Sequence, residues 1–149
     1  MEFGDTVYAT ATVMTISVLL FVPMDMVFGV NLWLVGRIIS VVIAALITGL
    51  IFAGKLAESK IVSIAKIMVL AAIVIMFLEI GLHTVDNSIA TFKDSYLAAN
   101  PGATLTNAQW EVLMNFNMFQ KIFLYVVMMD AIGFVGIYVG SMLKKPKKT

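Results

Sequence analysis

The 149-residue chain contains no cysteine, three prolines and one histidine, and only 13% of its residues are charged. Each shortage removes a class of function. Without cysteine there are no disulfides, no thiolate metal sites and no thiol nucleophile, and nothing marks the redox compartment. One histidine cannot hold a haem by two axial histidines within one chain. The net charge of +1 gives no basis for nucleic-acid binding. There is no phosphate-cradling glycine loop, no His-Glu-x-x-His pair and no nucleophile elbow. These absences point away from a stand-alone enzyme.

What is present is apolar. Hydrophobic residues make up 61% of the chain and mean hydropathy is +1.01. A soluble domain carries about 25% charged residues, so too few polar side chains remain here to coat one. The excess surface is expected to face lipid or other membrane subunits. The start, Met1-Glu2-Phe3-Gly4-Asp5, is acidic and lacks the basic region of a secretory signal, so the first apolar stretch reads as a retained membrane helix.

A hydrocarbon core of about 30 Å needs roughly 20 apolar residues in a helix. Four stretches meet this, at residues 6–28, 32–53, 61–82 and 118–143. The expected fold is therefore all-α: a single polytopic domain over residues 1–149, built as a four-transmembrane-helix bundle. Gly29-Val30-Asn31 is read as a tight turn between the first two spans, and Gly54 as the stop of the second. Seven of the ten basic residues (Lys55, Lys60, Lys66, Lys144, Lys145, Lys147 and Lys148) fall on the side shared by the two termini and the second connection. Arg37, Lys93 and Lys121 fall on the other. The positive-inside rule makes the lysine-rich side cytoplasmic, in the plasma membrane of the cell. Trp33 and Trp110 then mark the outer interface, and Tyr8 and Tyr138 the inner one. The basic tail, Lys144 to Lys148, suits anionic headgroups.

Residues 84–110 form the one substantial outer segment. Asn100-Pro101-Gly102 signals a turn, and Tyr96 to Ala99 a short surface helix. Thr106 followed three residues later by Gln109 reads as a capping box. The last helix should thus begin near Asn107 and run to Leu143, about 55 Å, which overshoots the membrane. Asn115, Asn117, Gln120 and Lys121 would stand above the hydrocarbon.

Lipid gives no hydrophobic drive for helix association, so small-residue faces matter. Ala45, Gly49 and Ala53 form one such face in the second span, and Gly133, Gly136 and Gly140 another in the fourth. Thr6, Thr10 and Ser17 share a stripe on the first. They serve packing inside the chain or docking onto a partner helix.

Intramembrane ionisable residues are functional candidates by default. Asp130 lies near the middle of the fourth span, beside Gly133. It reads as an interhelical hydrogen-bond or ion-pair partner, or as a proton or cation relay. Toward the outer side, Asp25 and Arg37 reach similar depth across the first hairpin, where a salt bridge is expected. Glu79 and His83 share a helix face, with Asp86 close by. With Met24 and Met26, and with Met114 and Met118 near the outer end of the last helix, they would make a copper-handling surface, because thioethers favour Cu(I). The plainer reading is a polar network at headgroup level, with methionine as filler.

Three functions follow as expectations. The first is a small non-catalytic subunit that packs against and stabilises a larger membrane complex in respiration, oxygenation or transport. The second is a homo-oligomeric proton- or cation-coupled transporter or channel using Asp130 and Glu79. The third is an outer-face copper-handling protein. The partners expected are the lipid bilayer and either other integral membrane subunits or copies of the same chain.

Overall fold

The computed structural model describes residues 1–29, 32–56, 59–86 and 89–144, apart from the side chains of Asp25, Trp33 and residues 79–92. It is 87% helical, with no strand among the described residues. Five helices follow in order: α1 (Phe3–Phe28), α2 (Trp33–Phe52), α3 (Lys60–Asp86), α4 (Ile89–Ala99) and α5 (Asn107–Leu143). Four of them, all but α4, are long and apolar enough to cross a membrane. The chain is thus compatible with a multi-pass membrane protein.

The helices end for local reasons. Gly29 takes a left-handed φ of 66°, which stops α1. Its expected turn partners, Val30 and Asn31, lie outside the described residues. α2 ends at Phe52, two residues before Gly54, and Gly54 itself is not among the left-handed glycines. The end of α2 is instead a tightened turn, in which the Phe52 carbonyl accepts from the amides of both Lys55 and Leu56. Buried hydroxyls are satisfied inside their own helices: Ser17 donates to Val13 O, Ser40 to Gly36 O and Thr48 to Ala44 O. That economy suits apolar surroundings, where an unmet polar group is costly.

The chain divides into two compact units. The first comprises Met1–Val74 and Val127–Thr149. Its core draws Ala9 and Val13 from α1, Ala44 and Ala45 from α2, Ile64, Ile67 and Met68 from α3, and Ile137 from α5. Leu56, from the connection between α2 and α3, is fully buried in the same cluster. Thr10 Oγ1 reaches from α1 to donate to the Ile67 carbonyl at 3.3 Å. Asp5, at the start of α1, pairs with Lys55 of that same connection.

Glycine sets how closely these helices approach. A Cβ on Gly140 would fall 2.9 Å from both Cα and the carbonyl carbon of Leu46, and closer still to its oxygen. A Cβ on Gly49 would lie 2.8 Å from the Ser141 amide nitrogen, and closer to the Ile137 carbonyl oxygen. On Gly136 it would meet the Ala45 Cβ at 2.6 Å, and on Gly133 the Met68 Cε at 2.5 Å. In the first three cases α2 and α5 touch nearly backbone to backbone. At Gly133 a flexible methionine from α3 fills the space.

The second unit is Ile75–Val126. The Asn100-Pro101-Gly102 turn is present, with Gly102 at φ 88° and the Ala103 amide donating to the Asn100 carbonyl at 3.2 Å. Proline followed by a left-handed glycine suits such a turn. The capping box forms: the Thr106 amide donates to Gln109 Oε1 at 2.8 Å, and the Gln109 amide to Thr106 Oγ1 at 3.4 Å. It starts α5 at Asn107 and makes the helix 37 residues long.

Candidate functional site

Two places concentrate chemistry. The first is the layer of Asp130 in the first unit. Asp130 is half-buried on α5, and its Oδ1 atom is shielded and has no hydrogen-bond partner among the described residues. Its helix neighbours Val126 and Met129 are each 3% exposed. On α5 the one basic residue is Lys121, nine positions away, and Lys144 follows just past the helix end. An acceptor left alone in an apolar layer is costly, so something must serve it.

Arg37 stands on α2 with its guanidinium 4.8 Å from the centre of the Phe21 ring on α1. This cation–π contact lets a charge sit within an apolar hairpin. The expected partner Asp25 has its side chain outside the described residues, so the salt bridge expected between them lies there too. The same holds for Glu79, His83 and Asp86, whose backbones belong to α3. Of the expected copper ligands, Met26 is 82% exposed and Met24 is half-buried. No group of three His, Asp or Glu side chains that could hold a metal occurs among the described residues.

The small-residue faces are occupied within the chain. Ala45 and Gly49 of α2 meet Gly136 and Gly140 of α5, and Gly133 meets α3. Ala53 is buried just past the end of α2. Thr6, Thr10 and Ser17 are all at most 8% exposed.

The second place is the first part of α5 with α4, inside the second unit. Trp110, expected at the outer interface, is only 7% exposed. Its ring meets Tyr96 edge to face at 5.1 Å, and Lys93 Nζ lies 5.3 Å from its centre. It therefore clamps α4 onto α5. Beside the clamp is a cavity of about 500 Å³, walled by Tyr96, Leu105, Ala108, Val112, Leu113 and Phe116. Sequence reading missed this cavity. The spacing of Ala108, Val112 and Phe116 by four residues was its available signal.

The exposed apolar side chains of α5 extend far along the helix. Val112, Phe116, Phe119, Phe123, Leu124 and Val127 are 48–70% exposed, and exposed apolar residues continue to Leu143. At 1.5 Å per residue, Val112 to Leu143 covers ~46 Å. A hydrocarbon core of about 30 Å accommodates ~39 Å of helix even at a tilt of 40°. Exposed Asn115, Gln120 and Lys121 interrupt this stretch, so Val112, Phe116 and Phe119 stand among polar residues.

The chain matches no protein-family model, no curated protein and no solved structure. Its functional reading therefore rests on this geometry.

Proposed function

We propose that this chain is a small non-catalytic integral membrane subunit that packs against and stabilises a larger membrane complex. In this reading the four long helices form a transmembrane bundle in the plasma membrane, with both termini cytoplasmic. The outer end of α5 is the surface offered to the complex. The observation that carries it is a group of exposed apolar side chains set among polar ones in the first half of α5. Val112, Phe116 and Phe119 are 48–70% exposed there, and exposed Asn115, Gln120 and Lys121 separate them from the apolar stretch that follows. The turns holding Val112 and Phe116 also carry Asn115 and Asn117, as a helix end above the hydrocarbon would.

The Asp5–Lys55 pair supports the topology, since it joins the start of α1 to the connection after α2. The internal use of the glycine faces narrows the docking surface, because those faces are already covered. The test is purification of the tagged full chain from its native membrane in mild detergent, followed by native mass measurement. Foreign subunits in fixed ratio are expected, and Val112→Lys with Phe116→Lys should release them. A lone monomer, or an assembly of this chain only, would overturn the reading.

One observation favours the transporter reading as a second choice: the unserved oxygen of Asp130 within a membrane-length helix. In that case the chain works as a homo-oligomer and Asp130→Asn abolishes coupled flux. Unchanged flux in the variant removes it.

A further inference from the structure

The contacts between α2 and α5 fix their register. Val41 lies opposite Gly133, Ala45 opposite Gly136, and Leu46 opposite Gly140. Residue numbers rise together along both helices, so α2 and α5 run parallel. One turn before Val41 on α2 is Arg37. One turn before Gly133 on α5 is Asp130. The same layer therefore holds a guanidinium and a carboxylate whose Oδ1 has no partner among the described residues. Arg37 precedes Val41, Ala45 and Gly49 at four-residue steps, on the row that meets α5. Asp130 precedes Gly133 by three residues and Ile137 by seven, on the row that meets α2.

We infer that Arg37 and Asp130 form one intramembrane charge-pair site across the α2–α5 seam, and that Arg37 is a two-position latch. In one position its guanidinium stacks on Phe21 and holds α1 to α2, as the 4.8 Å approach to the ring centre records. In the other it turns to the carboxylate of Asp130 and ties α2 to α5. Arginine suits both positions, because its long stem crosses a helix interface and its planar head takes an aromatic face or a carboxylate. The latch supplies the donor that Asp130 otherwise lacks. It also makes the hold of α1 on α2 depend on what Asp130 binds, which is a route by which a change at α5 reaches α1.

Two experiments on the full chain test this. The first is a double-mutant cycle in detergent, with Arg37→Gln, Asp130→Asn and the double variant compared by reversible unfolding. Each single variant leaves one member without its partner in an apolar layer. The double variant should then lose at least tenfold less folding equilibrium constant than the product of the single losses. Simple multiplication of the two losses would overturn the pairing. The second experiment does not need stable charge variants. The chain has no native cysteine, so Arg37→Cys with Asp130→Cys can be joined in native membranes by a short bifunctional thiol reagent. Val35→Cys with Asp130→Cys is the control, since residue 35 sits on the opposite side of α2. Efficient joining of 37 to 130 and not of 35 to 130 is expected. Equal or absent joining would show that the two residues do not share the seam.

Discussion

Replacing Gly140 by alanine should be the most damaging single-methyl change in this protein. The added Cβ would sit 2.9 Å from two backbone atoms of Leu46 and closer to a third. Ordinary contact begins near 3.4 Å, so α2 and α5 must separate by more than ~0.5 Å at their tightest point. The obstacle is backbone, which cannot rotate away as a side chain can. Separation there also loosens Gly49 against Ile137 and Gly136 against Ala45, since they share the seam. Overpacking of this kind costs about 1–3 kcal/mol, and with the loosened neighbours the upper end applies. The folded-to-unfolded ratio should fall on the order of a hundredfold. Equilibrium unfolding in mixed micelles measures this directly. Gly54→Ala is the internal control, because nothing lies within 4 Å of its Cβ position and its φ is not left-handed. If Gly140→Ala unfolds at the same denaturing fraction as Gly54→Ala, the close α2–α5 approach is not a feature of the protein in solution.

Other outcomes follow from single contacts. Leu56→Ala should cost about 2–5 kcal/mol in the same assay, because a fully buried leucine leaves a cavity that a tight connection cannot refill. Trp110→Ala should release α4 from α5, seen as faster protease cleavage near residues 100–103 with little change in the stability of the first unit. Thr106→Ala should remove about 1 kcal/mol from the start of α5, read as faster amide exchange in its first turn. Lys55→Gln should change stability by less than about 1 kcal/mol, and less still in high salt, because the lysine of that pair is 58% exposed.

Much of the helical layout was legible because membrane spans announce themselves by length and apolarity. The expected start of the last helix at Asn107 coincides with the observed one, since Thr106 and Gln109 carry a local signal that needs no tertiary context. The short helix before the turn was visible only from Tyr96, whereas α4 begins at Ile89. Its earlier residues lack a distinctive period. The contacts of Trp110 with Tyr96 and Lys93 were not legible, because they depend on how the Pro101 turn brings α4 back to α5. Gly54 marked the end of α2 to within two residues, while the tightened turn that makes the stop uses residues that carry no signature. The glycines of α5 were conspicuous in the sequence. Which helix each would face was not, because a small residue advertises close approach without naming its partner. The same applies to Asp130, whose chemistry is local and whose layer-mate is fixed only by the register of two helices.

Leu56 also bears on the order of assembly. It belongs to a connection, yet it is sealed in a cluster that includes Ile137 of α5, which is made long after it. Until α5 inserts, that cluster is incomplete and the α2–α3 connection has no finished seat. The latching of this connection is then a late event in biogenesis. A nascent chain stalled before α5 would leave Leu56 without Ile137, so its connection should be cut faster by protease than in a chain that carries α5.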